Sequence, residues 1–103
     1  MNIDLELREI LENILNDAHN TKNLGTKYDT WQRLEKHNSL KSFKDFVIGD
    51  INGQLRCGYS TYNGKKESDL EKEENKFLDE TLIQRVYGIE PVIDEFIEKN
   101  NKK

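Results

Sequence analysis

The chain reads as an α+β protein: a small, helix-rich single domain of about four helices built around one central β-hairpin. Three observations predict this. Its 103 residues fit one domain with one core. Apolar residues recur at helical spacing near both ends. Between them, "FVIGDINGQLRCGYSTYNG" (46–64) holds four of the six glycines, with apolar residues flanking Asn52-Gly53, the strongest short hairpin signal.

The first helix is expected over 3–20. Ile3, Leu7, Ile10, Leu11, Ile14, Leu15 and Ala18 form one stripe, and only Leu5 lies off it. Asn2 is the expected cap, Asp4 and Glu6 suit the positive end of the helix dipole, and Gly25 is the expected stop. A second helix is expected over 30–38. Asp29 and Gln32 make a capping-box pattern, and Trp31 and Leu34 share a face. A short helical turn follows at 40–44.

Strands are expected over 46–51 and 54–62. A two-residue turn at Asn52-Gly53 pairs Phe46 with Tyr59, Ile48 with Cys57 and Asp50 with Leu55 on a mostly apolar face. The opposite, wet face then carries Val47, Ile51, Arg56 and Gly58. Two strands alone are marginal in water, so the ribbon must pack on helices or gain a third strand, its own or a partner's. The same stretch fails as a phosphate loop, because "GDINGQLR" lacks the Lys and the hydroxyl. It also fails as a calcium loop, with Gln54, Leu55 and Thr61 where ligands or glycine are needed.

Ser68 and Glu71 make a capping box for a helix over 69–87. Its first turns carry almost only charge. Its second half (Phe77, Leu78, Leu82, Ile83, Val86, Tyr87) reads as the most buried helix of the domain. Gly88 is the expected stop, and Pro91 opens a last helix over 91–99 striped by Val92, Ile93, Phe96 and Ile97. Residues 100–103 are expected to be a disordered tail.

Composition bounds the function. No run of about 18 apolar residues exists to cross a membrane. The acidic, amphipathic start "MNIDLELREIL" is unlike a secretory or mitochondrial leader, and a single cysteine permits no internal disulfide. The expectation is a cytoplasmic protein. Abundant Asn, Lys and Ile, with Ala18 the only alanine, suggest AT-rich codons, as in a low-GC bacterium or its phage.

Charged residues make up 35% of the chain, against about 25% in a typical domain. They are unevenly spread. Residues 1–20 carry a net of −4, 21–66 a net of +5 and 67–103 a net of −5. The acidic segment offers Glu67, Asp69, Glu71, Glu73 and Glu74 as a docking face for a basic partner protein, which itself could be a nucleic-acid binder. The basic, aromatic middle offers Lys41, Lys44, Arg56, Tyr59, Tyr62, Lys65 and Lys66 as a single-stranded nucleic-acid surface. Overall acidity argues against a high-affinity duplex binder, whose domain is usually basic.

Catalysis has one conceivable nucleophile–base pair, Cys57 with His19 or His37, and the hairpin register turns that thiol inward. No metal-ligand spacing and no cofactor motif is present. The expected function is therefore a non-enzymatic protein-binding module: a small acidic inhibitor, an immunity-type protein or a phage-encoded regulator. A single-stranded nucleic-acid binder is the alternative. A homodimer through a strand edge or a spare helix stripe is open to it.

Overall fold

The computed structural model describes residues 4–38 and 42–101. They form four α-helices, α1 (Leu5–Asp17), α2 (Thr21–Asn38), α3 (Phe43–Tyr62) and α4 (Lys72–Asn101), with a 3-10 turn at Glu67–Asp69. No strand occurs among the described residues, so the α+β expectation gives way to a helical bundle. The expected cap Asn2 and, from the turn at 40–44, Leu40 and Lys41 lie outside the described residues.

The largest correction concerns 46–62, both predicted strands, which belong to α3. Phe43, Val47, Ile51, Leu55 and Tyr59 follow one another at four-residue spacing, and all five are buried. The hairpin register had placed Val47 and Ile51 on the wet face, yet they are 0% and 1% exposed. A two-residue turn swaps odd and even positions between strands, so it splits this ridge across two faces. The helix keeps the ridge whole. Each fully buried aliphatic side chain contributes about 1.5–3 kcal/mol. Three glycines inside the helix cost about 1 kcal/mol each. Burial therefore outweighs the turn propensity of Asn52-Gly53.

Capping explains where α3 begins and ends. Ser42 Oγ accepts from the Asp45 amide at 3.2 Å. At the far end Gly64 takes φ 66°, the left-handed region. The Lys65 amide donates to Ser60 O at 2.8 Å and the Gly64 amide to Thr61 O at 3.2 Å. This is a Schellman stop.

α2 and α4 are longer than expected for similar reasons, while α1 ends at Asp17 and not at 20. α2 starts at Thr21 because Asn20 Oδ1 accepts from the Lys22 amide at 2.9 Å. It continues through Gly25, which was read as a stop, because Leu24 is fully buried and Tyr28 and Trp31 pack on the core. The helices predicted at 69–87 and 91–99 are one. Leu78, Leu82, Ile89 and Ile93 stay in phase across Gly88 and Pro91, and all are buried. Pro91 only removes the bond its amide would give to the Tyr87 carbonyl, on a solvent-facing side. Ser68 falls in the 3-10 turn, and α4 begins four residues later, at Lys72.

α3 is the central element. α1 runs antiparallel along its C-terminal half: Tyr62 donates to Asp4 at 2.9 Å, and Gly58 lies against Ile10 and Ile14. α2 meets its N-terminal half through the Lys27–Asp50 ion pair and an edge-on contact of Tyr28 with Phe43. α4 runs antiparallel to α3 over its whole length, from Arg56–Asp79 to Lys44–Asp94. Thirty residues at about 1.5 Å each make α4 about 45 Å long. That matches the molecule's longest dimension, 46 Å. One face of α4 is thereby committed to the core along the full length of the domain, and the opposite face is left to solvent.

Candidate protein-docking surface

The outward face of α4 follows from helical geometry. Leu78, Leu82, Ile89 and Ile93 point inward. Glu73, Lys76, Glu80, Ile83, Gln84, Tyr87 and Pro91 lie opposite and are exposed. Ile83 is 59% exposed and Tyr87 81%. They sit one turn apart, which makes them neighbours on the helix surface. The reading of this segment as the most buried helix is therefore wrong for these two side chains. In the two turns before them, Glu73, Lys76, Phe77 and Glu80 line a shallow, open depression of about 290 Å³.

The edges of this face are tied down by ion pairs. Arg85 reaches α1, donating to Glu12 at 2.5 Å and Asn16 at 3.0 Å. Arg56 holds Asp79 at 2.5 Å. Lys44 sits 3.0 Å from Asp94 and 3.7 Å from Glu90. Its ammonium pKa is raised, first by the hydrogen bond to Asp94.

The five acidic residues read from the sequence divide into two groups. Glu67 and Asp69 lie on the 3-10 turn, and Glu71 and Glu73 at the start of α4; all four are exposed. Glu74 is buried and serves the fold. Its carboxylate accepts from the Glu71 amide at 3.0 Å, from Lys65 Nζ at 2.9 Å and from the Tyr59 hydroxyl at 2.7 Å. The bond to the Glu71 amide is half of a capping box, three residues beyond the one the sequence suggested. That amide first, then Lys65 and Tyr59, pull the carboxyl down to about 2. Burial, then the hydrogen bond to Glu74, pushes the Tyr59 phenol up to about 12. Glu74 is thus unavailable to a partner.

The basic, aromatic set is dispersed over α3 and the loop after it, and most of it is engaged. Lys44, Arg56 and Lys65 each hold a carboxylate. Tyr59 is core, and the Tyr62 hydroxyl is bound to Asp4, which raises its pKa. Lys66 is exposed and pairs with no described acid. Lys41 lies outside the described residues.

Cys57 is exposed on α3, not sealed beside Ile48 and Phe46 as the hairpin required. His19 is exposed, and no hydrogen bond joins it to Cys57; the His37 side chain lies outside the described residues. Among the described residues, no three His, Cys, Asp or Glu side chains gather as a metal site, and no helix is long and apolar enough to cross a membrane. No known protein family, no curated protein and no solved structure matches the chain.

Sequence reasoning missed Ile83 and Tyr87 as surface residues. The signal was present in the helical phase: both share the arc of Glu80 and Gln84, opposite Leu78 and Leu82.

Proposed function

We propose that this domain is a non-enzymatic protein-binding module that receives its partner on the outward face of α4. The class that fits is a small acidic inhibitor, immunity-type or regulatory protein. One observation carries the reading: two large apolar side chains, Ile83 and Tyr87, stand together in solvent on a face that the rest of the described fold does not cover. Scattered single apolar residues are ordinary; contiguous apolar surface rimmed by polar groups marks interaction sites, and here two large apolar side chains adjoin. Glu73 and Glu80 on the same face, with Glu67, Asp69 and Glu71 at its end, supply a field that would speed encounter with a basic partner.

The nucleic-acid alternative draws less support, because its cations are spent on internal carboxylates. The test is affinity capture from the native host with nuclease present, comparing wild type with an Ile83→Ser/Tyr87→Ser double variant of matched circular dichroism and Tm. The expected result is one protein retained by wild type and lost by the variant. Equal recovery by both would remove this face. Loss of all captured material on nuclease treatment would favour the nucleic-acid reading.

A further inference from the structure

We propose that the occupant of the α4 face is a cationic amphipathic helix of the partner protein, seated with its apolar stripe on Ile83 and Tyr87. This rests on the docking reading above and adds the chemistry of the partner. Ile83 and Tyr87, one turn apart, match the i, i+4 anchors by which helices recognise each other. The depression lined by Glu73, Lys76, Phe77 and Glu80 lies along the two preceding turns, where the next anchors of a docked helix would fall. Its lining joins one aromatic ring and two carboxylates with the single cation Lys76, which suits a lysine or arginine with its apolar stem on Phe77.

Charge selects between a basic partner and a second copy of this chain. α4 carries eight acidic and four basic residues, a net of −4. Of its four cations, Arg85 is bound to Glu12 and Lys99 to Glu95. Glu73 and Glu80 pair with no described cation. A two-fold antiparallel pairing that sets Ile83 opposite Tyr87 also sets Glu80 opposite Glu90, twice. Its compensating contacts are Lys76 opposite Asp94 and Lys72 opposite Glu98; Lys44 already holds Asp94, and Glu98 is also engaged. A parallel pairing sets every acid against itself. Like charges at an interface discriminate against that partner. Two apolar side chains also cover only part of the roughly 800 Å² a side of a standard interface. Charge must supply much of the remaining specificity.

The test titrates the full chain with two synthetic 18-residue amphipathic helices, one of Leu and Lys and one of Leu and Glu. Binding is read by calorimetry and by amide shifts in NMR spectra. The Leu/Lys helix is expected to bind, with shifts confined to residues 73–91, and to weaken as salt rises. Its affinity should fall about tenfold or more in Ile83→Ser/Tyr87→Ser and in Glu73→Lys/Glu80→Lys, but not in the α2 control Asp29→Lys. The Leu/Glu helix should not bind. An unchanged affinity in Glu73→Lys/Glu80→Lys, with the apolar variant still impaired, overturns the cationic inference alone. An unchanged affinity in the apolar variant sinks the docking reading as well. Concentration-dependent dimerisation lost in Tyr87→Ser would assign the face to a second copy and also overturn the inference.

Discussion

Two glycines of α3 respond oppositely to substitution, and the sign at each reports the fold. Gly53 lies in the helix interior, and a Cβ built there meets nothing within 4 Å. Gly53→Ala should stabilise the domain by about 0.5–1 kcal/mol, by lowering the entropy of the unfolded chain. For a domain of this size that is a rise in Tm of roughly 2–8 °C. Gly58 differs. A Cβ there would sit 3.2 Å from Ile10 Cγ2 and 3.2 Å from Ile14 Cδ1. The Ile14 methyl ends a flexible side chain, but Ile10 Cγ2 is fixed by its β-branch. Gly58→Val should therefore cost about 1–3 kcal/mol by overpacking the α1–α3 crossing. Urea titration of both variants at pH 7 measures the pair. A hairpin reverses the order: Gly53 would occupy a turn with φ > 0, where alanine costs about 1–2 kcal/mol, and Gly58 would face water. Destabilisation by Gly53→Ala together with tolerance of Gly58→Val would refute the helical account of this segment.

Further outcomes follow from the core and the charge cluster. Leu55 is fully buried in the α3 ridge, so Leu55→Ala should lower stability by about 2–5 kcal/mol in the same titration. Glu74 is held at about 2 against an ordinary 4.5. Its contribution is fully present above about 4.5 and is lost as pH falls toward 2, so the stability difference between wild type and Glu74→Gln should shrink over that window. Tyr59 is raised from 10 to about 12, so its contribution is intact below about 10 and is lost between 10 and 12. Tyr59→Phe should remove that alkaline step in pH-dependent unfolding. Cys57, exposed on α3, should react with a thiol reagent in the native state nearly as fast as in denaturant. Protection of the thiol would restore the inward register.

The first helix and its stripe of Leu7, Leu11 and Leu15 were legible in the sequence, though it ends at Asp17 and not at 20. Periodicity there has one reading, because no turn residues interrupt it. At 46–62 it has two. Phe46 and Ile48 alternate before the turn and Leu55, Cys57 and Tyr59 after it, so a ribbon face can be drawn as readily as the helical ridge of Val47, Ile51, Leu55 and Tyr59. Asn52-Gly53 then tips a local reading toward the hairpin. The tertiary fact that decides the matter, three helices packing on this ridge, is not local. Gly25 and Gly88 misled in the same way. Both glycines follow or interrupt an apolar stripe that resumes in phase, at Tyr28 and at Ile89, and resumption in phase is the better signal. The acidic segment was visible, but its division was not. That Glu74 turns inward depends on Tyr59 and Lys65 arriving from α3 and the loop after it. Ile83 and Tyr87 were counted as core because apolar content was weighed over their helical phase.

The most direct test of the whole account is NMR of residues 46–59, because the orientation of α4 and its free face depends on α3 being one helix. Unbroken sequential amide–amide contacts through Asn52 and Gly53, with Val47 and Leu55 side chains touching α4, are the expected result. Cross-strand contacts between Ile48 and Cys57, with Val47 and Ile51 in water, would contradict it.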